Sequence, residues 1–192
     1  METTADETTV PRELAPIEAL VNTVELDSGE EQLSSPAALR DWLAGQGLLD
    51  ATAAVGEADL AAAVELREAL RAMLRVNDGA PADPAAVEAV NRAAAGLPLR
   101  VAFDGAGDPG LRPGTEGGAR GALAELLAGI AVAKANGTWA RLKACSDPDC
   151  QWAFYDRSKN RSGRWCSMRT CGNRTKTRAY RTRRRSADEK TG

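Results

Sequence analysis

Four cysteines carry the clearest chemistry in this chain, because all four fall within 27 residues near its C-terminal end. They form two close pairs, Cys145-x4-Cys150 and Cys166-x4-Cys171, with 15 residues between the pairs. Two such pairs let a chain wrap a tetrahedral ion, since each pair directs both thiolates toward one centre. The chain has no histidine, so zinc ligands here must be sulfur or carboxylate. The spacing predicts one structural Zn²⁺ held by all four cysteines.

Two disulfides or four unrelated thiols are the alternatives to zinc. The expected cytoplasmic location and the absence of any other cysteine disfavour both. A site closed by four thiolates leaves the metal no open position for a substrate. Because the chain also lacks histidine and a nucleophile motif, we expect a protein that is not an enzyme.

The residues between the two cysteine pairs predict a hairpin. Residues 152–156 alternate like a strand, residues 157–163 form the turn, and residues 164–166 return. In that register Phe154 lies across from Trp165 and supplies a small core. Forty-odd residues cannot fold stably on so small a core alone, so the metal is expected to stabilise this module.

The segment after Cys171 predicts a strongly basic helix. Arg174, Arg178, Arg181 and Arg185 would share one helical face, and the planar arginine fork suits phosphate oxygens and guanine edges. A frayed basic tail that complements the acidic half of the chain is the alternative. The predicted DNA-binding residues are Asn173, Arg174, Lys176, Arg178, Arg181, Arg183, Arg184 and Arg185 on the helix, with Arg157, Lys159, Arg161 and Arg164 at the hairpin tip.

The net charge of -2 conceals two oppositely charged parts. Residues 1–140 carry 22 acidic and 10 basic side chains, whereas residues 141–185 carry 14 basic and three acidic ones. An acidic globule joined to a basic end indicates a polyanion-binding module at that end. The charges also allow the two parts to attract one another.

The elements that must position these residues are mostly helical. Apolar side chains recur at helical spacing, and Ser35 before Pro36 is a helix start. Residues 97–103 alternate as a strand, whereas the Gly- and Pro-rich residues 104–118 predict a loop or a poor hairpin partner. A short helical turn at 139–143 leads to the first cysteine. The predicted helices lie at 17–24, 36–45, 57–77, 87–94 and 119–135.

The cysteine region resembles the CGNR zinc finger family. The resemblance rests on Arg164-Trp165-Cys166-Ser167-Met168-x-x-Cys171-Gly172-Asn173-Arg174. Cys145-x4-Cys150, followed by Trp152, Phe154 and Asp156, fits the first half of the family's motif. The similarity spans residues 141–185.

The upstream region resembles the ABATE domain that usually precedes this finger, over residues 15–135. The matching segments are 20–24 (LVNTV), 39–49 ending in GLL, and 66–70 (LREAL). The resemblance implies a stress-associated transcription regulator whose finger binds DNA and whose ABATE domain senses a ligand or dimerises. Asn22 and Arg67 are polar residues on apolar helical segments and are candidate ligand-binding residues. The alternative for both is hydrogen bonding to loop backbone.

The expected fold is a mainly α N-terminal domain, α+β with a small β-hairpin, followed by a treble-clef-like four-cysteine zinc finger. The predicted boundaries are a disordered leader 1–14, a helical ABATE-like domain 15–137, a CGNR-type finger with basic helix 138–185, and a disordered tail 186–192. DNA is the expected partner, with a small-molecule effector and a homodimer as further candidates. An RNA- or ribosome-associated zinc protein and a module that docks on an acidic protein are the alternatives. No segment approaches the roughly 20 apolar residues of a membrane span, so we expect no membrane association.

Overall fold

The computed structural model describes residues 9–114 and 117–188, with side chains through Arg184. The predicted fold class is confirmed, because helices dominate and the strands form small antiparallel pairs. The N-terminal region comprises α1 (Ala15–Val21), β1 (Val24–Glu25), β2 (Glu30–Glu31), α2 (Pro36–Gly45), α3 (Glu57–Asn77), α4 (Pro84–Ala95), β3 (Leu99–Phe103), β4 (Pro109–Pro113) and α5 (Gly118–Ala135). The finger region contains a short turn (Trp139–Arg141), β5 (Leu142–Ala144), β6 (Ala153–Tyr155), a wide turn (Met168–Gly172) and α6 (Asn173–Asp188).

Helix α3 is the central element and spans the residues that the apolar pattern predicts. At its start the Asp59 carboxylate accepts a 3.0 Å hydrogen bond from the Gly56 N–H, which satisfies one backbone donor that the helix leaves free. Leu66, Leu70 and Leu74 recur every fourth residue and are buried. This stripe places α3 between the other helices and the finger.

The predicted start of α2 is also confirmed. The Ser35 hydroxyl accepts a 3.1 Å hydrogen bond from the Ala38 N–H, and Pro36 occupies the first turn.

Strand β4 decides between the two alternatives predicted for residues 104–118, a loop or a poor hairpin partner, in favour of a hairpin partner. It pairs antiparallel with β3 along five residues, from Leu99 opposite Pro113 to Phe103 opposite Pro109. Prolines at both ends of β4 are tolerated because among the described residues this strand pairs only with β3. Helix α5 packs against β4, so β3 forms the outer edge of the hairpin.

The buried core continues across the predicted boundary at residues 137 and 138. Leu142, Ala144 and Ala153 of the finger are fully buried in the same apolar cluster as the leucines of α3. Residues 1–8 of the predicted leader and 189–192 of the predicted tail lie outside the described residues. Within the rest of the leader, Val10 packs against the core and Leu14 is fully buried. Among the described residues, no helix is both long and apolar enough to cross a membrane.

Candidate metal centre and nucleic-acid interface

The four cysteines converge on one point. Their sulfur atoms all lie within 4.8 Å of one another, at 3.6 Å between Cys150 and Cys166 and 3.7 Å between Cys166 and Cys171. A zinc–sulfur bond of about 2.3 Å in a tetrahedron requires sulfurs about 3.8 Å apart. A disulfide would bring them to about 2.0 Å, and all four are free. The site therefore fits one structural zinc, as the spacing predicts.

Two backbone turns position the thiolates. In the first, the Cys145 N–H donates to the Trp152 carbonyl at 2.9 Å, and the Cys150 N–H donates to the Asp147 carbonyl at 3.0 Å. In the second, the Gly172 N–H reaches back five residues to the Ser167 carbonyl at 3.1 Å, which makes a wide turn that buries Cys171.

The thiols of the cluster do not ionise alike. A hydrogen bond from Cys150 lowers the pKa of the Cys145 thiol to about 5, and the same hydrogen bond raises the pKa of Cys150. Burial, followed by the nearby Cys145 charge, raises the pKa of Cys166 to about 12. The cluster gives up one proton easily and retains others until a cation compensates the negative charge, so metal binding must release protons.

The predicted finger hairpin is wrong in its pairing. Strand β6 pairs with β5, which places Phe154 opposite Lys143 rather than opposite Trp165. The returning segment instead meets the first cysteine turn, where the Ser146 N–H donates to the Arg164 carbonyl at 2.8 Å. Residues 142–144 extend as a strand because their side chains are buried against α3, which overrides the predicted helical turn beyond Arg141.

Lys143 holds the loop between β6 and the second cysteine pair. Its buried ammonium donates to the Asp156 carboxylate at 2.7 Å and to the carbonyls of Arg161 at 2.7 Å and Gly163 at 2.9 Å. Burial alone would raise the pKa of Asp156, but hydrogen bonds from Lys143, from Ser158 and from the Gly163 N–H lower it to about 2. The pair is therefore charged, and all three ammonium protons are used.

Asn22, a predicted ligand-binding residue, joins α1 to the finger. Its side-chain amide donates to the Ala153 carbonyl at 2.9 Å and accepts from the Ala153 N–H at 2.7 Å. On α3, Arg71 donates to the carbonyls of Gln151 at 3.1 Å and Val21 at 2.7 Å. Glu18 accepts from the Tyr155 N–H, although burial raises its pKa overall.

Arg67, the other predicted ligand-binding residue, is buried and holds the β1–β2 segment on α3. Its guanidinium donates to Glu31 at 2.7 Å, to the Thr23 hydroxyl at 3.1 Å and to Glu68 at 2.7 Å. Internal partners thus occupy both Asn22 and Arg67, and their predicted ligand contacts stay predictions.

Two arginines of α6 turn inward onto the first cysteine turn. The carboxylate of Asp147, 0% exposed, accepts from Arg174 at 2.5 Å and from Arg178 at 3.3 Å. Arg174 also donates to Asp27 of the N-terminal region at 2.6 Å, and Arg178 also pairs with Asp149. Hydrogen bonds to Asp27 and Asp147 raise the pKa of Arg174. Both side chains fix the helix on the metal site, and their predicted DNA contact stays a prediction.

The remaining described cations of α6 are exposed. Lys176 and Arg183 lie on the face opposite Arg174 and Arg178, and Arg184 lies with Tyr180 on one side of the helix. Arg181 lies on the face of Arg174 but is exposed one turn further along the helix. Among the described residues, these four cations form no hydrogen bond or ion pair. The side chain of Arg185 lies outside the described residues.

The predicted cations of the hairpin tip lie in the loop after β6. Arg157, Lys159 and Arg161 are exposed, and Arg161 has a positive φ of 52° in the turn. Arg164 is exposed and lies 5.9 Å above the Trp165 ring. The structure therefore brings the predicted cations into two groups, one inward and one outward.

Each residue of the Cys171-Gly172-Asn173-Arg174 sequence has a distinct structural role. Cys171 is a buried metal ligand, and Arg174 reaches the two aspartates. At Gly172 a Cβ atom would lie 2.6 Å from the Met168 sulfur, so a larger residue would displace that side chain. Asn173 is exposed and donates to the Arg169 carbonyl at 3.0 Å.

Several residues of this site were not predicted from the sequence. Arg71 lies four residues after Arg67 on the inward face of α3. This spacing places both arginines on the same side of the helix, so the sequence could have identified Arg71 as a second buried arginine. Asp147 is one of only three acidic residues in the basic region 141–185, which also sets it apart. Asp27 has no such signal, because its partner lies 147 residues away.

Comparison with known families agrees with this geometry. Residues 141–184 match the model of the CGNR zinc finger, and residues 14–136 match the ABATE model, described as "Putative stress-induced transcription regulator". No curated protein matches the chain. The two matches follow one another without overlap and take in helices α1 to α5, the four cysteines and most of α6. The chain belongs to the ABATE family and carries a CGNR zinc finger after its ABATE domain.

Proposed function

We propose that the protein is a DNA-binding transcription regulator that contacts the duplex through the outward face of α6. The observation that carries the proposal is the division of the cations of this helix. Arg174 and Arg178 are neutralised internally, whereas Lys176, Arg183 and Arg184 face solvent. An array of cations without internal partners is suited to phosphate contacts.

The inward ion pairs support this function because they position the outward face. Asp147 lies in the turn that supplies Cys145 and Cys150, so the metal site and the helix share one anchor. A helix about 10–12 Å wide fits the major groove of DNA. A helix held in a fixed orientation loses less conformational freedom on binding than a frayed tail does.

The observations favour duplex DNA over the two alternatives. Base stacking on aromatic side chains is typical of single-stranded RNA binding, and on the described part of α6 only Tyr180, 60% exposed, offers a ring. Docking of the helix on the acidic half of this chain already occurs through Asp27, but it uses the inward Arg174. The outward cations remain available to a second partner.

Competition binding tests the proposal. Fluorescence anisotropy of the zinc-loaded chain should show binding to a mixed-sequence 20-base-pair duplex. At equal salt, single-stranded RNA and polyglutamate should compete less well than unlabelled duplex. Stronger competition by RNA would support the RNA alternative, and stronger competition by polyglutamate would support an acidic protein partner. Either result would refute the DNA proposal.

We also propose that the ABATE domain dimerises through β3. Val101 and Phe103 are 66% and 72% exposed, and among the described residues the outer edge of β3 has no strand partner. Antiparallel pairing of two β3 strands about Val101 would set Phe103 beside Leu99 of the second copy, and a two-fold dimer would present two fingers.

No step of this function requires catalysis, and we propose a non-enzymatic role. Four thiolates leave the metal no open position. Free thiols favour a reducing compartment, which supports a cytoplasmic location. The ABATE domain is the part of the chain in which we place ligand sensing.

A further inference from the structure

A small cavity lies where the end of α3 meets the finger. Its volume is about 190 Å³, below the roughly 300–1,000 Å³ of pockets for drug-sized ligands, so only a small molecule fits. One wall comes from the ABATE domain and the other from the segments beside the metal ligands. The lining residues are Arg75, Asp78, Gly79, Ala80, Ala144, Ser146 and Arg164.

Asp78 in this cavity has a buried carboxylate, and only one of its two oxygens accepts a hydrogen bond. Its side chain is 8% exposed, and its Oδ2 atom accepts a hydrogen bond from the Ser146 hydroxyl. Its Oδ1 atom is buried without a hydrogen-bond partner among the described residues. A buried carboxylate oxygen without a donor is costly, and such atoms are rare in native proteins.

The neighbouring cations do not supply the missing donor. The Lys143 nitrogen lies 4.0 Å from Oδ1, but its three protons go to Asp156, Arg161 and Gly163. The Arg164 nitrogen lies 4.0 Å from Oδ2, beyond hydrogen-bond distance. A donor must therefore come from outside the chain or from a rearranged side chain.

Two arginines complete the lining with the opposite charge. Arg75 is exposed and, among the described residues, its side chain forms no ion pair or hydrogen bond. Arg164 is exposed, lies over the Trp165 ring and comes within 4.0 Å of the Asp78 carboxylate. Guanidinium groups bind carboxylates through paired hydrogen bonds. The cavity is thus lined by one carboxylate and by two guanidinium groups.

We propose that this cavity binds a small zwitterion of amino-acid size. Its ammonium group would donate to Asp78, and its carboxylate would accept from Arg75 and Arg164. A cation suits a buried carboxylate better than a neutral donor does, because it also compensates the charge. The small volume suits a ligand of this size better than a nucleotide or a peptide.

The position of the cavity links the ligand to the finger. Ser146 follows the metal ligand Cys145, and Arg164 precedes Cys166 by two residues. A bound zwitterion would contact both cysteine segments and the end of α3 together. The inference rests on the ligand-sensing part of the proposed function. Its test contains no DNA, so failure here leaves the DNA-binding proposal standing, and the reverse also holds.

Thermal unfolding of the zinc-loaded full chain tests the proposal. The probes are the twenty standard amino acids, β-alanine and γ-aminobutyrate. The controls are ethylamine, acetate and inorganic phosphate, each of which carries charge of only one sign. We expect at least one amino acid at about 100 times its Kd to raise Tm by about 5 °C or more, and the controls to raise it less. Titration calorimetry of the best probe should give one site per chain.

Variants locate the binding. Arg75→Gln removes an exposed cation without an internal partner, so the protein should fold as the parent does and bind the probe at least tenfold more weakly. Asp78→Asn should abolish binding, whereas Asp108→Asn at the exposed β3–β4 tip should not change it. Stabilisation by no amino acid, equal stabilisation by phosphate, or unchanged binding in Arg75→Gln would each overturn the proposal.

Discussion

The salt dependence of DNA binding distinguishes the two faces of α6. Four cations of this helix are exposed and unpaired among the described residues: Lys176, Arg181, Arg183 and Arg184. If each contacts one phosphate, log affinity should fall with log salt at a slope of about -3.6, or about 150-fold between 50 and 200 mM salt. Lys176→Gln with Arg183→Gln leaves two contacts, so the slope should fall to about -1.8 and the loss to about 12-fold.

The diagnostic quantity is the change in slope of about 1.8, because contacts by the loop after β6 would steepen both slopes equally. Arg178→Gln is the matched variant on the inward face, and it should leave the slope unchanged because Asp147 and Asp149 already neutralise this arginine. Arg92→Gln with Arg112→Gln alters net charge equally, on α4 and β4 rather than in the finger. Anisotropy titrations at four salt concentrations measure all slopes. An unchanged slope in the outward double variant, or an equal loss in Arg178→Gln, would refute the assignment of the faces.

Three further predictions concern metal, stability and assembly. Native mass spectrometry should find one zinc per chain in the parent and none in Cys166→Ser. The Tm of this variant should fall for the whole chain, because the core of the finger is continuous with that of the ABATE domain. An unchanged Tm would contradict that continuity. Lys143→Met should lower the free energy of unfolding by about 3–5 kcal/mol in urea, since it leaves Asp156 buried without its cation, whereas Lys159→Met at an exposed site should change it little. Light scattering should show that the parent is a dimer and that Val101→Lys is a monomer. The helical circular dichroism of the variant should equal that of the parent. A monomeric parent would rule out the β3 interface.

The sequence predicted the helices well because their apolar stripes report burial directly. Residues 57–77 show this best, since leucines at every fourth position face the core along the whole of α3. The cysteine spacing was equally informative, because a tetrahedral site needs only four ligands from two close pairs. Local patterns were sufficient for both.

Pairings between distant segments were predicted less well. The sequence leaves strand β4 open as an alternative to a loop, because two prolines and a glycine hide its strand character and its position depends on packing against α5. The partner of β6 was missed because residues 142–144 are extended only in contact with α3. The inward orientation of Arg174 depends on Asp27, and no local pattern connects two residues so far apart.

The side chains that cover β6 also protect this strand from pairing with other molecules. The outer edge of β6 and of the two residues before it carries backbone groups of Gln151, Ala153 and Tyr155. These groups bond to the side chains of Arg71, Asn22 and Glu18. Side chains of α3, of α1 and of the residue that caps α1 thus take the place that a third strand would otherwise fill. An uncovered edge of this kind is a template for strand addition and aggregation. A CGNR finger transplanted without these three residues would expose that edge, so the finger of this protein is not a freely portable module.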